Sequence, residues 1–388
     1  MNLKITSDYN YIIAGGGCAG LSLAYRLSLS RSDFRVLIID ASIKSANDRT
    51  WCYWEEGEGV FEEIVYRSWG TVRFFGTRGQ QQIEMDPYQY KMIRGVDFYS
   101  FIREKLDQDQ RFSSLVSKIT SIENKAHQAV VRTEDGDFHA EYIFNSAIRP
   151  SFDSKAITYR QHFKGWIVRS VEKSFTPHEA TLMDFRIGQL PGEARFMYIL
   201  PFSAHEALIE FTVFSPQHLP AKEYDTALRG YIKEFTSIPG EYEIVHEEFG
   251  SIPMSEMDFE ERTDRIFHIG TAGGRTKAST GYTFTRIQKE AEKIASALIR
   301  GQEPAVGHNS NRFALYDSTL LDVMAKERHS SADVFSLLFA KNKPATVFRF
   351  LDEDTSLWEE IRLMSTVPMQ AFFKGMLSSL RRRKTFLW

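Results

Sequence analysis

The stretch YNYIIAGGGCAGLSLAYRL near the N-terminus limits the fold more than any other part of the chain. An apolar run, Tyr11 to Ala14, leads into a cluster of glycines and then into an amphipathic helical pattern. Gly15, Gly17 and Gly20 stand in G-x-G-x-x-G spacing. The first glycine allows a tight turn, the second lets the backbone approach a pyrophosphate, and the third lets the helix pack close to the strand. The backbone of Cys18 and Ala19 opens that helix and turns its positive end toward phosphate. The next strand pattern, FRVLIID, ends at Asp40, where a ribose hydroxyl needs an acceptor. Strand, turn, helix and acid in this order predict a nucleotide-binding unit.

A second glycine loop lies far along the chain, in RIFHIGTAGGRTKASTGYTFTRIQKEAEKIASALI. It reads as a strand (Ile266 to Ile269), a loop and a long helix. In FAD enzymes of the glutathione-reductase type, which this layout resembles, such a late loop sets its backbone, here Gly270, Thr271, Ala272 and Gly273 together with Thr280 and Gly281, against the ribityl chain and pyrophosphate. The first motif does not by itself separate FAD from NAD. Its N-terminal position, with the later pieces spread along the chain, favours an FAD enzyme. The expected fold is therefore α/β: an FAD-binding Rossmann-like domain of glutathione-reductase type, a β-sheet substrate domain and a helical C-terminal region. The FAD domain is assigned to 1–48, 85–150 and 250–304, the substrate domain to 49–84 and 151–249, and the helical, membrane-proximal region to 305–388. Aromatic hydroxylases of this class carry Gly-Asp where this chain has Gly270-Thr271, and a middle-segment Asp-Gly motif that has no counterpart here beyond the earlier Asp135-Gly136. Both departures argue against an ordinary flavin monooxygenase.

Composition narrows the class further. The chain has 388 residues with 43% hydrophobic content, enough for a large core. Its 48 Lys and Arg nearly balance 51 Asp and Glu, so no overall field attracts nucleic acid. Two cysteines, Cys18 and Cys52, make no disulfide framework, which favours a reducing, cytoplasmic setting. The uncharged run Tyr9 to Tyr25 holds four glycines and is followed by a strand pattern, unlike a signal peptide. The histidines show no metal-ligand spacing, and no metal is expected.

Seven stretches carry a resemblance: DRTWCYWE (48–55), QHFKGW (161–166), LMDFR (182–186), YILPFS (198–203), ALIEFT (207–212), GSIPM (250–254) and IGTAGGRTKASTGYTFTRI (269–287). In these the chain resembles the bacterial lycopene β-cyclases, flavin-dependent enzymes that close the ends of linear lycopene. The resemblance implies redox-neutral cyclisation to β-ionone rings, giving γ-carotene and then β-carotene. It implies reduced FAD as the active form, NAD(P)H as its electron donor, and lycopene and related carotenes as substrates. It also implies a catalytic role for Glu210. Many cyclases carry two adjacent acids at the positions matching 208–212; here the second is Phe211.

Alternation along ALIEFTVFS puts Leu208, Glu210, Thr212 and Phe214 on one face and Ile209, Phe211 and Val213 on the other. Burial disfavours a carboxylate and raises its pKa, and a neutral carboxylic acid is a proton donor. Either this acid or the flavin then protonates the polyene. Sheet-edge exposure, or pairing with an arginine, is the structural alternative for Glu210. Arg49 and Trp51 follow the second strand and either touch the cofactor or substrate or pack. Asp184 is either a second acid near the cavity or a hydrogen-bonded structural group. The tail MQAFFKGMLSSLRRRKTFLW joins an apolar stripe to Arg381, Arg382, Arg383 and Lys384, then Phe386, Leu387 and Trp388, a composition suited either to an anionic membrane surface or to a solvated, partly frayed terminus with its apolar stripe in the core. The expected location is cytoplasmic, held peripherally at the inner membrane. The rival reading is a monooxygenase or reductase acting on another isoprenoid or aromatic substrate.

Overall fold

The structure, a computed structural model, describes residues 8–148, 153, 155–304 and 311–385. Strand β1 (Tyr9–Ala14) turns through the glycines into helix α1 (Cys18–Ser28), which returns to β2 (Val36–Asp40). β1 lies parallel between β2 and β11 (Gly136–Asn145). The parallel set extends to β8 (Phe112–Val116) beyond β2 and to β18 (Ile266–His268) beyond β11. A two-residue strand, β17 (Arg262–Thr263), and the hairpin β9 (Ile119–Lys125) and β10 (Gln128–Thr133) complete this eight-stranded sheet. Its central strands are apolar throughout because both faces are covered. Helices α1, α2 (Gly95–Asp107) and α4 (Phe284–Ile299) bury Leu23, Phe98, Ile287 and Ile294 on one side. The hairpin covers Ile12, Leu37 and Ile143 on the other.

A small antiparallel sheet, β3 (Thr50–Glu56), β7 (Tyr88–Arg94) and β4 (Arg67–Trp69), is the second layer. The third sheet has seven strands in the order β16 (Tyr242–Ser255), β12 (Thr158–Ser170), β15 (Glu206–Ser215), β14 (Ala194–Pro201), β13 (Glu179–Asp184), β5 (Thr71–Gly76) and β6 (Gly79–Glu84). Helix α3 (Ala221–Phe235) closes one face of it. Its Tyr224, Leu228, Tyr231 and Ile232 fall at helical spacing and meet Trp166, Ile209, Phe211 and Val213. Each such buried side chain contributes about 1.5–3 kcal/mol.

The C-terminal residues form helices α5 (Asn311–Ala325), α6 (Ser331–Lys341), α7 (Pro344–Leu351), α8 (Leu357–Met364) and α9 (Met369–Thr385). From α6 and α7, Phe335, Leu338, Phe339 and Phe348 pack with Phe196 and Phe214 of the large sheet. Arg382, grouped in the sequence with a lipid-facing basic tail, turns inward instead. It pairs with Glu256 at 2.8 Å and Asp322 at 2.5 Å, both acids being fully buried and needing a counter-charge. The side chains of Arg383 and Lys384, and all of Phe386, Leu387 and Trp388, lie outside the described residues. Among the described residues no helix is long and apolar enough to cross a membrane.

Candidate functional site

A cavity of about 390 Å³ takes lining residues from all three sheets. At one end are the glycine turn and Asp40; at the other are Glu210, Tyr198, Tyr90 and Leu208.

The glycine turn is built as the spacing predicts, with a distinct reason for each residue. Gly15 has φ +112°, and a Cβ on it would fall 2.4 Å from Ser146 Oγ. A Cβ on Gly20 would fall 1.9 Å from the Gly15 carbonyl oxygen, so the helix can lie this close to the strand only with glycine there. Gly17 differs: a Cβ would meet nothing within 4 Å, because the position faces the open cavity. Gly17 is also the residue preceding α1, and no side chain caps the first amides of that helix. Those donors therefore point at cavity space, the arrangement that receives phosphate. Asp40 lines the cavity while its Oδ2 accepts the Gly16 amide at 2.8 Å, tying the acid to the turn it serves. Cys18 contributes backbone rather than charge, since burial pushes its thiol up to about 12.

Of the second loop, Thr271 and Gly281 reach the cavity. Gly270, Ala272, Gly273 and Thr280 are not among its lining residues. Gly270, at φ +60°, is a contact point, since a Cβ there would fall 2.5 Å from the Ala19 Cβ of α1. Its amide donates to Glu290 at 2.8 Å, and Glu290 pairs with the buried Arg275. Gly273 sits where a Cβ would strike the His268 carbonyl oxygen at 2.0 Å. These glycines shape the loop, and Thr271 and Gly281 present it. Arg49 and Trp51 both line the cavity, with Trp51 set edge-on to Phe98 at 5.1 Å. Together with the uncapped helix end and the open side of Gly17, these residues fit a dinucleotide cofactor.

At the opposite end, β15 is an interior strand, so Glu210 is not on a sheet edge. Its alternation holds: Ile209, Phe211 and Val213 pack under α3, while Leu208 and Glu210 face the cavity. Thr212 donates a hydrogen bond to Glu210 Oε1 at 2.6 Å. Burial, and then the nearby carboxyl of Glu248, push the Glu210 carboxyl up to about 8. Such an environment biases a carboxyl toward its protonated form, the form that can donate a proton. The phenols of Tyr90 and Tyr198 are held well above their ordinary range by burial and stay neutral, presenting aromatic walls.

Glu248 was not singled out from the sequence. It lies two residues before the GSIPM stretch, in β16, and reaches the site through strand pairing. Gly165 of β12 is paired with Glu210 on one side and Glu248 on the other, and Tyr198 is paired with Glu210 in turn. Tyr198, Glu210, Gly165 and Glu248 thus form one cross-strand row with their side chains on the same face. The only signal was in-phase alternation, which needs the strand register to be read.

Asp184 takes the structural alternative. It is fully buried, salt-bridged to Arg186 at 2.5 Å, and accepts from the Tyr231 hydroxyl at 2.6 Å, away from the cavity lining. Among the described residues no group of three or more His, Cys, Asp or Glu is placed to hold a metal ion.

Known proteins agree with this architecture. The solved halogenase PltM, in complex with phloroglucinol and FAD, superposes with a TM-score of 0.62 at 13% identity, covering 97% of this chain and 92% of that one. A geranylgeranyl bacteriochlorophyll reductase-like protein from Thermoplasma acidophilum gives 0.60 at 12% identity, covering 94% and 98%. Such distant likenesses carry the fold, which is the α/β FAD-binding fold with a helical C-terminal region that the glycine motifs led one to expect. In sequence, the lycopene beta-cyclase of Pseudescherichia vulneris is 23% identical over 383 residues, 92% of this chain and 93% of that protein. The family described as lycopene cyclase protein matches residues 10–377. The chain belongs to the lycopene cyclase protein family.

Proposed function

We propose that the protein is a lycopene β-cyclase that protonates the ψ-ends of lycopene and closes them to β-ionone rings without net redox change, using FAD kept reduced by NAD(P)H. The observation that carries this reading is Glu210: a carboxyl whose pKa burial and Glu248 raise, facing an aromatic-lined cavity whose other end holds the glycine turn.

The chemistry asked of the residues is specific. Glu210 gives its proton to the terminal double bond, which leaves a tertiary cation. Thr212, by donating to one oxygen, holds the carboxyl in its orientation within the strand. Tyr90 and Tyr198 present electron-rich faces, each worth about 0.5–2 kcal/mol to a nearby cation. Leu200, Leu208 and Phe163 exclude water that would trap the cation as an alcohol. Gly17 and the first amides of α1 would hold the pyrophosphate, Asp40 a ribose hydroxyl, and Thr271 and Gly281 the flavin side. Reduced flavin, when bound, supplies negative charge that stabilises positive charge in a dry site.

The substrate also has to be collected from a bilayer, and α9 offers a surface for that. Met369, Phe373, Leu377 and Leu380 recur at helical spacing and are exposed, and Lys374 and Arg381 stand beside them. Helix α8 adds Trp358, 81% exposed, with Leu357 and Ile361. This stripe is the proposed contact with an anionic membrane surface, the protein attaching peripherally on the cytoplasmic side.

Expression in a lycopene-accumulating bacterial host tests the function. The cells should turn from red to orange-yellow and yield a cyclic product of unchanged mass, and Glu210→Gln should abolish it while FAD stays bound. An oxygenated or reduced product would instead support a monooxygenase or reductase.

A further inference from the structure

The second carboxyl of the cavity has no part in the reading above, and its surroundings are unlike those of a structural acid. A Cβ on Gly165 would fall 3.0 Å from Glu248 Cγ and 3.2 Å from its Oε1, so the Glu248 side chain lies over the glycine, on the side of Glu210. Any larger residue at 165 would hold the two acids apart. Thr50 donates to Glu248 Oε2 at 2.9 Å and fixes that oxygen. The other oxygen, Oε1, is buried and, among the described residues, meets no donor besides the carboxyl of Glu210, with which Glu248 shares a side-chain hydrogen bond when one of the two holds a proton. Two buried carboxyls side by side oppose each other's ionisation, so a pair kept in a reaction cavity calls for a chemical reason.

We infer that Glu248 is the proton acceptor that completes the cyclisation, receiving the ring proton at Oε1 and returning it across Gly165 to Glu210. This rests on the proposed cyclase reading and supplies its missing base. In the first half, the Glu210 O–H bond breaks and its proton bonds to the terminal alkene carbon. The electron pair of the neighbouring double bond then forms the ring C–C bond. In the second half, a ring C–H bond breaks, its electron pair becomes the ring double bond, and its proton goes to Glu248. Transfer from Glu248 to Glu210 restores the starting pair, so no oxidant or reductant is consumed.

The other groups of the cavity fit this role less well. Asp40 and Asp48 lie at the nucleotide end, where Asp40 accepts the Gly16 amide and Asp48 accepts from the Tyr99 hydroxyl at 2.9 Å. Tyr90, Tyr198 and Cys52 around Glu210 are kept neutral by burial and are weak bases. Burial raises the Glu248 carboxyl above its ordinary range, while His246 and Arg49 act electrostatically in favour of its charged form. Thr50 has the same effect through its hydrogen bond.

The test is steady-state cyclisation by purified, FAD-loaded protein with lycopene in detergent, comparing wild type, Glu248→Gln, Glu248→Asp and Glu210→Gln. Glu248→Gln should lower kcat about 100-fold or more, as loss of a general base does, with flavin content unchanged. Its alkaline limb should move to lower pH, because removing a neighbouring negative charge makes Glu210 a stronger acid. Glu248→Asp should recover part of the rate. Wild-type kcat and pH profile in Glu248→Gln would overturn the inference, as would loss of rate with an unmoved limb and no recovery by aspartate. If wild type itself forms no cyclic product, the cyclase reading fails first; if only Glu210→Gln is inactive, the reading stands and the inference falls.

Discussion

Phe211 packs against Tyr224 of α3, ring centroids 6.1 Å apart, on the side of the sheet opposite to its neighbour Glu210. Two adjacent acids in this strand could not both face the cavity, because successive side chains alternate. The second carboxyl of this site comes instead from β16, two strands away, in register with the first.

That geometry predicts the outcome of restoring an acid at 211. Phe211→Glu would place a charge in the apolar contact under α3 and remove a large core side chain, at a cost of about 4 kcal/mol or more. Urea denaturation should show the midpoint falling sharply, with no gain in cyclisation. A stable variant with raised activity would mean that residue 211 reaches the cavity after all.

Gly17 and Gly20 separate ligand space from packing space. Gly17 has an ordinary extended backbone and open cavity beside it, so Gly17→Val should leave the thermal stability of flavin-free protein nearly unchanged. The added methyls would fill the space meant for phosphate, and the purified protein should lack the flavin absorbance band. Gly20→Ala should do the reverse of the first effect, lowering the melting temperature even without flavin, since its Cβ collides with backbone. Equal stability loss in both variants would contradict the assignment of Gly17 to the ligand.

The parts read correctly from sequence are those governed by local chemistry. Gly15, Gly17 and Gly20 announce the turn by their spacing alone, although Ser146 and Asp40 pack against it from elsewhere in the chain, and the alternation around Glu210 needs only its own strand. Glu248 was invisible because its place depends on the pairing of β16 with β12, which no local pattern encodes. The same limit applies to Gly165, whose importance lies in what stands on either side of it. It applies again to Arg382, which reads as surface charge in a run of arginines until Glu256 and Asp322 are seen to face it. The domain division expected at residue 250 falls inside β16, which continues unbroken to Ser255.

Attachment to membranes is expected to depend on the exposed stripe of α9 and on Trp358. Replacing Phe373 and Trp358 with Glu removes two large apolar contacts, each worth about 1.5–3 kcal/mol when buried. Co-sedimentation with anionic phospholipid vesicles should therefore fall by tenfold or more, about 1.4 kcal/mol. Turnover of detergent-dispersed lycopene should persist, since neither residue lines the cavity. Undiminished vesicle binding by the double variant would exclude this face.

The Glu210 carboxyl makes activity and stability depend on pH in linked ways. In the proposed mechanism its protonated form is the reactive one, so the rate should be level through neutral pH and fall as pH rises past about 8. An unfolded glutamate titrates near about 4.3. Between these two values the folded protein binds more protons at this site than the unfolded chain, so stability is greatest on the acid side and declines as pH rises through the window. Glu248, Thr212, Tyr90, Tyr198 and Cys52 are the groups that face it, and of these Glu248 opposes its ionisation most strongly after burial. Glu210→Gln abolishes the titration, so its melting temperature should drop less than that of wild type between about pH 5 and about pH 9, even as catalysis is lost. Parallel melting curves for the two proteins would show that Glu210 is already ionised in the folded state, and that it cannot be the acid.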